Sequence, residues 1–179
     1  MRPLTDEEIM KVFEKIKKYI GSKLKYLVEP EDGVTYVFRL HKNRVFYCNE
    51  EVLKLASHFE RKKLISIGTC LGKFTKSGKF RLLITCLDYI AKYAKNKVWL
   101  KPSGEQSFLY GNHVLKSQVA RITENTEQYA GLVVCNINDV PLGLATTSKS
   151  SLQIKDLEPT AIVGFNQGDL GEYLRVEDE

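Results

Sequence analysis

Leu109-Tyr110-Gly111-Asn112-His113-Val114-Leu115-Lys116, with Arg121-Ile122 a few residues further on, sets the architecture of the second half of this 179-residue chain. A helical turn is expected over residues 104–110, and a strand candidate over 114–122 follows. Val98-Trp99-Leu100 is a strand upstream of it. Residues 131–137, 141–147, 161–165 and 174–176 are strand candidates downstream. Short strands with Gly, Pro and Asn punctuation every 8 to 12 residues or so predict a small β-barrel, starting near Lys95.

The first half reads differently. Thr5-Asp6-Glu7-Glu8 fits a capping box, in which the Thr5 hydroxyl takes an orphan backbone N–H and Glu8 reaches back to the cap. Ile9, Val12, Phe13, Ile16 and Ile20 recur at helical spacing, and Gly21 is placed to stop the helix. Residues 24–28 and 34–40 read as strands around the turn 29–33. His41-Lys42-Asn43-Arg44 turns the chain into a strand at 45–48, which makes a hairpin. A helix is expected over 50–59 and strands over 64–67 and 80–85, flanking a basic, glycine-bearing segment 68–79. Asp88 is placed to cap a last short helix. The fold expected is a mixed α/β (α+β) domain over 1–94, followed by a small barrel over 95–179.

Composition narrows the function. The chain carries 27 basic and 22 acidic residues, a formal charge of +5. Residues 1–94 hold 19 basic and 11 acidic residues, a net +8, and residues 95–179 hold 8 and 11, a net −3. Such asymmetry points to a polyanionic partner for the first half. Residues 61–87 contain Arg61, Lys62, Lys63, Lys73, Lys76, Lys79 and Arg81 without one acid, interleaved with apolar strand-like segments. An ordered basic face is the expectation. The four cysteines form no CxxC pair, and no apolar run approaches the ~18 residues of a membrane span. A soluble protein of a reducing compartment, without a signal peptide or membrane partner, is expected.

A search for chemistry finds no catalytic centre. Gly68-Thr69-Cys70-Leu71-Gly72-Lys73-Phe74-Thr75 departs from a phosphate loop, because its spacer is short and Phe74 stands where the metal-binding hydroxyl belongs. Cys86-Leu87-Asp88-Tyr89 faintly resembles the aspartate motif of pseudouridine synthases, but a helix cap explains Asp88 more simply. His41, His58 and His113 have no metal-like spacing with one another or with the cysteines. Cations and rings interleave in Lys73, Phe74, Lys76, Lys79, Phe80 and Arg81. The cations would neutralise phosphates; the rings are assigned to the core rather than to base stacking.

The stretch 109–116 with Arg121-Ile122, and the closing Pro159-Thr160-Ala161-Ile162-Val163-Gly164-Phe165, resemble a PUA domain, an RNA-binding module. Met1-Arg2-Pro3-Leu4-Thr5, Gly68-Thr69-Cys70 with Gly72-Lys73-Phe74-Thr75-Lys76, Glu105-Gln106-Ser107-Phe108-Leu109-Tyr110-Gly111-Asn112 and Arg121-Ile122-Thr123-Glu124-Asn125-Thr126 together resemble the Nip-seven family. The similarity runs from Met1 to about Glu172. The resemblance implies an N-terminal α/β domain, a C-terminal PUA barrel and a non-enzymatic RNA-binding role in 60S subunit assembly and pre-rRNA processing. It also implies partners: pre-rRNA of the large subunit and other pre-60S factors, including the nucleolar rRNA cytosine methyltransferase. A nucleolar protein, monomeric within a large particle and without cofactor or metal, follows from it. Arg61-Lys62-Lys63 is too short to serve as a nuclear import signal.

Because the PUA half is net acidic, RNA binding is expected to be shared between the halves. Lys73, Lys76, Lys79 and Arg81 are the candidates in the first. Lys116, Arg121, Lys149 and Lys155 are those in the second, the last two in the loop after the 141–147 strand. The competing function is a ribosome- or initiator-tRNA-binding translation factor with a PUA domain. An RNA-modifying enzyme is disfavoured by the 94 residues or so left for a catalytic domain.

Overall fold

The computed structural model describes residues 1–30, 33–60 and 63–175. Two compact units emerge, one of Met1–Lys17 with Gly21–Tyr89 and one of Lys18–Ile20 with Ile90 onward. The sequence reading set the division after Ala94; the units divide at Tyr89/Ile90.

β1 (Arg2–Pro3) leads to α1 (Asp6–Ile20), which belongs to the first unit as far as Lys17. The capping box is formed as expected: Glu8 N–H donates to Thr5 Oγ1, and Thr5 N–H donates to Glu8 Oε2 at 2.9 Å. Asp6, Glu7 and Glu8 in the first turn complement the helix dipole, and Gly21 at φ 58° ends the helix. Residues 24–28 are not a strand. A 3-10 turn, Gly21–Leu24, runs into α2 (Lys25–Val28), because helical winding puts Leu24 and Leu27 on one buried side.

The strands β2 (Tyr36–His41) and β3 (Arg44–Asn49) form the expected hairpin, with Lys42 at φ 55° in its turn. Asn49 caps α3 (Glu50–Ala56), its side chain accepting from Glu51 N–H at 2.7 Å. Residues 64–67, expected as a strand, form none among the described residues, and Ile65 is 88% exposed. The place beside β3 is taken by β4 (Thr69–Phe74), formed from the segment read as a glycine loop, and β5 (Phe80–Leu82) follows. The sheet is an antiparallel meander in the order β1-β2-β3-β4-β5. A 3-10 turn at Ile84–Cys86 cuts the 80–85 strand short and leads into α4 (Leu87–Lys92), with Asp88 inside its first turn rather than at its cap.

The second unit contains β6 (Lys97–Leu100), α5 (Pro102–Leu109), β7 (Val114–Leu115), β8 (Val119–Ile122), β9 (Gly131–Cys135), β10 (Pro141–Thr147), α6 (Ser151–Lys155), β11 (Ile162–Asp169) and α7 (Glu172–Arg175). A 3-10 turn at Lys116–Gln118 splits the strand expected over 114–122, and α7 replaces the one expected over 174–176. Val176 lies outside the described residues, as do Glu31, Asp32, Arg61 and Lys62 of the turn and basic block read from sequence.

The strand order is β7-β11-β10-β9-β6-β8, antiparallel except for β6 beside β9. Its two edge strands, β7 and β8, are joined by only the 3 residues of that 3-10 turn. A connection so short forces the sheet to curl round into a nearly closed barrel. Val98, Leu100, Phe108, Val114, Leu132, Val134, Ala145 and Val163 fill it, each fully buried. No helix among the described residues is long and apolar enough to cross a membrane.

Candidate nucleic-acid interface

Side-chain alternation gives the first sheet two unlike faces. Phe38, Leu40, Val45, Tyr47, Phe80 and Leu82 share the face on which Phe13 of α1 meets Phe38, ring centroids 5.5 Å apart. Phe74 lies on this face too, half-buried and 5.2 Å from Phe80, which is buried in the core. The opposite face carries a row of three cations, Arg44, Lys73 and Arg81, with His41 at its end. His41 pairs with Arg44, Arg44 with Lys73, and Lys73 with Arg81, across β2, β3, β4 and β5.

Arg44, Lys73 and Arg81 are exposed, and none of them forms an ion pair among the described residues. Like charges placed directly opposite one another cost a sheet stability. An anion laid across the row would remove that cost. Cys70 lies under the row: burial raises its thiol pKa, and the nearby Arg44 and Lys73 charges oppose that shift.

Lys76 and Lys79 sit in the β4–β5 turn, both exposed. Thr75 shapes that turn, its hydroxyl accepting from Lys79 N–H at 3.1 Å while Gly78 takes φ 73°. The Lys11 ammonium of α1 lies beside Gly78, adding a further cation. All four first-half candidates therefore fall on one hairpin. Arg44 and His41 were missed because they read as turn residues. Counting the alternation from Val45 would have put Arg44 on the polar face, but only the register sets it beside Lys73.

In the barrel, Lys116, Arg121 and Lys155 line one groove of about 380 Å³, together with Glu124, Ser151 and Leu152. Lys149 precedes α6 and is not in that lining. Lys155 belongs to α6 rather than to a loop, a helix the sequence reading missed although Ser150 and Gln153 form a second capping box. Arg121 stands opposite Trp99 and lays its guanidinium 3.8 Å from the centre of the indole ring. The Trp99 indole N–H donates to Asp139 at 2.9 Å, and Lys97 donates to both oxygens of the same carboxylate at 3.1 and 3.2 Å. The Lys97 and Trp99 bonds hold the Asp139 carboxyl pKa below its ordinary value.

A second groove of this unit, about 600 Å³ between α5 and α7, is lined mainly by Pro102, Leu109, Tyr110, Leu170 and Leu174. At its edge Arg175 donates to both oxygens of Asp169, a carboxylate only 1% exposed, at 2.9 and 3.0 Å. That arrangement ties α7 to β11.

Residues 1–84 match the NIP7/UPF0113 pre-PUA domain, and residues 96–178 match the UPF0113 PUA domain. A 60S ribosome subunit biogenesis protein NIP7 homolog from Xenopus laevis is 61% identical over 178 residues, 99% of this chain and 98% of that protein. The chain belongs to the NIP7 family. A NIP7 homolog from Danio rerio, 56% identical, covers the same 99% of the chain and 98% of the relative. NIP7-type architecture has solved counterparts in archaea. A conserved PUA domain protein from Thermoplasma acidophilum superposes with a TM-score of 0.59 at 11% identity, over 98% of this chain and 97% of that one. A PUA domain protein from Aeropyrum pernix K1 gives 0.57 at 12% identity, over 97% and 87%. These likenesses establish the fold: a NIP7 pre-PUA domain followed by a PUA barrel.

Proposed function

We propose that this chain is an RNA-binding assembly factor for the large (60S) ribosomal subunit, acting in pre-rRNA processing within pre-ribosomal particles. The observation that carries RNA binding is the cross-strand row Arg44–Lys73–Arg81, three exposed cations without an acid partner among the described residues. Lys76 and Lys79 extend that surface at the hairpin tip. Lys116, Arg121 and Lys155 supply a second one on the barrel, with Lys149 beside α6. Lysine and arginine at such sites release counterions from the phosphate backbone, so affinity falls steeply with salt. Phosphate contacts position an RNA without reading its sequence, which suits a chain that works inside a large particle.

Full-length likeness to proteins named for 60S subunit biogenesis supports pre-rRNA of the large subunit as the partner. The nucleolus is the compartment where such a partner is met. Other pre-60S factors, the rRNA cytosine methyltransferase among them, are its protein neighbours, and the chain acts without cofactor or catalysis of its own. Crosslinking of the tagged protein to RNA in cells, followed by sequencing, tests this reading. Reads concentrated in large-subunit pre-rRNA are expected. Reads mainly in small-subunit rRNA or initiator tRNA, with cosedimentation on mature small subunits, would make it a translation factor instead.

A further inference from the structure

We propose that Arg121, seated over the Trp99 ring, is a stacking platform for an unpaired base, so that the barrel groove takes single-stranded rather than duplex RNA. The inference rests on the RNA-binding reading above and adds to it a seat for a base.

Three observations carry it. First, the pair faces outward. Val98 and Leu100, on either side of Trp99, are fully buried in the barrel, so the indole and Arg121 opposite it lie on the outer face. β8 is the last strand of its sheet, and no further strand covers Arg121. Second, the pair is built before any ligand arrives. Asp139 holds the indole by its N–H, Lys97 holds Asp139, and the Asn136 side chain accepts from the N–H groups of Asn138 and Val140 to set the turn that carries Asp139. The guanidinium carbon in turn sits over the indole, 3.8 Å from the ring centre, well inside cation–π range.

Third, Arg121 is exposed and open to a ligand. Asp139 is occupied by Lys97 and Trp99, and Arg121 is exposed, with no ion pair among the described residues. A guanidinium is weakly hydrated on its flat faces. Unpaired bases stack on arginine planes as they do on aromatic rings. Lys116 and Lys155 line the same groove and are placed to take flanking phosphates, and Leu152 offers an apolar wall. A duplex keeps its bases stacked on one another and has none to lay on Arg121.

Trp99 is the only tryptophan of the chain, so its emission reports on this site alone. The full chain is titrated with short oligoadenylate, with duplex RNA of the same length, and with inorganic polyphosphate, which has charge but no bases. Retention on a filter measures binding separately from emission. Oligoadenylate is expected to change Trp99 emission; polyphosphate and duplex are expected to bind without changing it. Arg121→Lys keeps the charge and loses the plane. It is expected to weaken oligoadenylate about tenfold and to weaken polyphosphate far less, since the positive charge is kept.

Oligoadenylate retained with Trp99 silent, or an Arg121→Lys chain that binds it as tightly as before, would overturn the platform and leave RNA binding standing. Equal emission changes from oligoadenylate and polyphosphate would overturn it as well. Failure of every RNA to be retained would remove both readings together.

Discussion

Glu8 joins three parts of the N-terminus at one carboxylate. It takes two hydrogen bonds from the Arg2 guanidinium, at 2.7 and 2.9 Å, and one from the Thr5 N–H. The Arg2 bond above all, and then the Thr5 bond, hold its pKa at about 2 against an ordinary 4.5. A depressed carboxylate stabilises the fold above its unfolded pKa and loses that contribution as pH falls through the folded one. The stabilisation is therefore expected to be full above pH 4.5 and to disappear on the way to about pH 2. Thermal midpoints across that range should fall more gently for Arg2→Ala than for the native chain. The thiols differ just as plainly. Burial pushes Cys86 up to about 12 and Cys135 up to about 11. Cys48 is buried as well, and Cys70 is only partly so. Native alkylation followed by peptide mass spectrometry should label Cys70 first and reach Cys86 only on unfolding.

The β4–β5 hairpin joins a packing constraint to a charge constraint. A Cβ at Gly72 would run into the Phe80 ring and the Arg81 carbonyl. Gly72→Ala is expected to cost about 1–3 kcal/mol, read from urea denaturation. Charge reversal on the other face should act in the opposite sense on stability. Lys73→Glu places a carboxylate between Arg44 and Arg81, replacing two repulsive cross-strand pairs with attractive ones. The melting temperature should hold or rise while RNA affinity drops and the slope of log affinity against log salt falls by about 1 or more. An unchanged slope would show that the row does not touch phosphate. This hairpin also marks where sequence reading stopped short. Residues 68–79 carry glycines and lysines, the composition of a loop, yet Thr69–Phe74 is a central strand. Gly72 is there because two neighbours leave no room for a side chain, a reason that lies on other strands.

Each unit carries its own cations, the row in the first and the groove in the second. Incubated with pre-rRNA and a methyl donor, the purified chain should transfer no methyl group and form no pseudouridine, assayed by isotope incorporation and by chemical mapping. Product in either assay would make it an enzyme and would revise the proposed role.

Signals that act within a few residues were legible in the sequence. The Thr5–Glu8 box, the stop at Gly21, the hairpin around Lys42-Asn43 and the strand Pro141–Thr147 all depend on neighbours along the chain, and all are present as read. The longer resemblance blocks identified the family and with it the PUA barrel. Residues 24–28 and 64–67 went wrong because short apolar runs fit a strand or a helix equally well until a partner is supplied. Which residues share a surface was decided only by strand pairing. Register brings Arg44 beside Lys73 and Lys73 beside Arg81, and it sets Trp99 under Arg121 with Asp139 at its edge. Charge adds up by distance in space, and the chain order of these residues does not contain that distance.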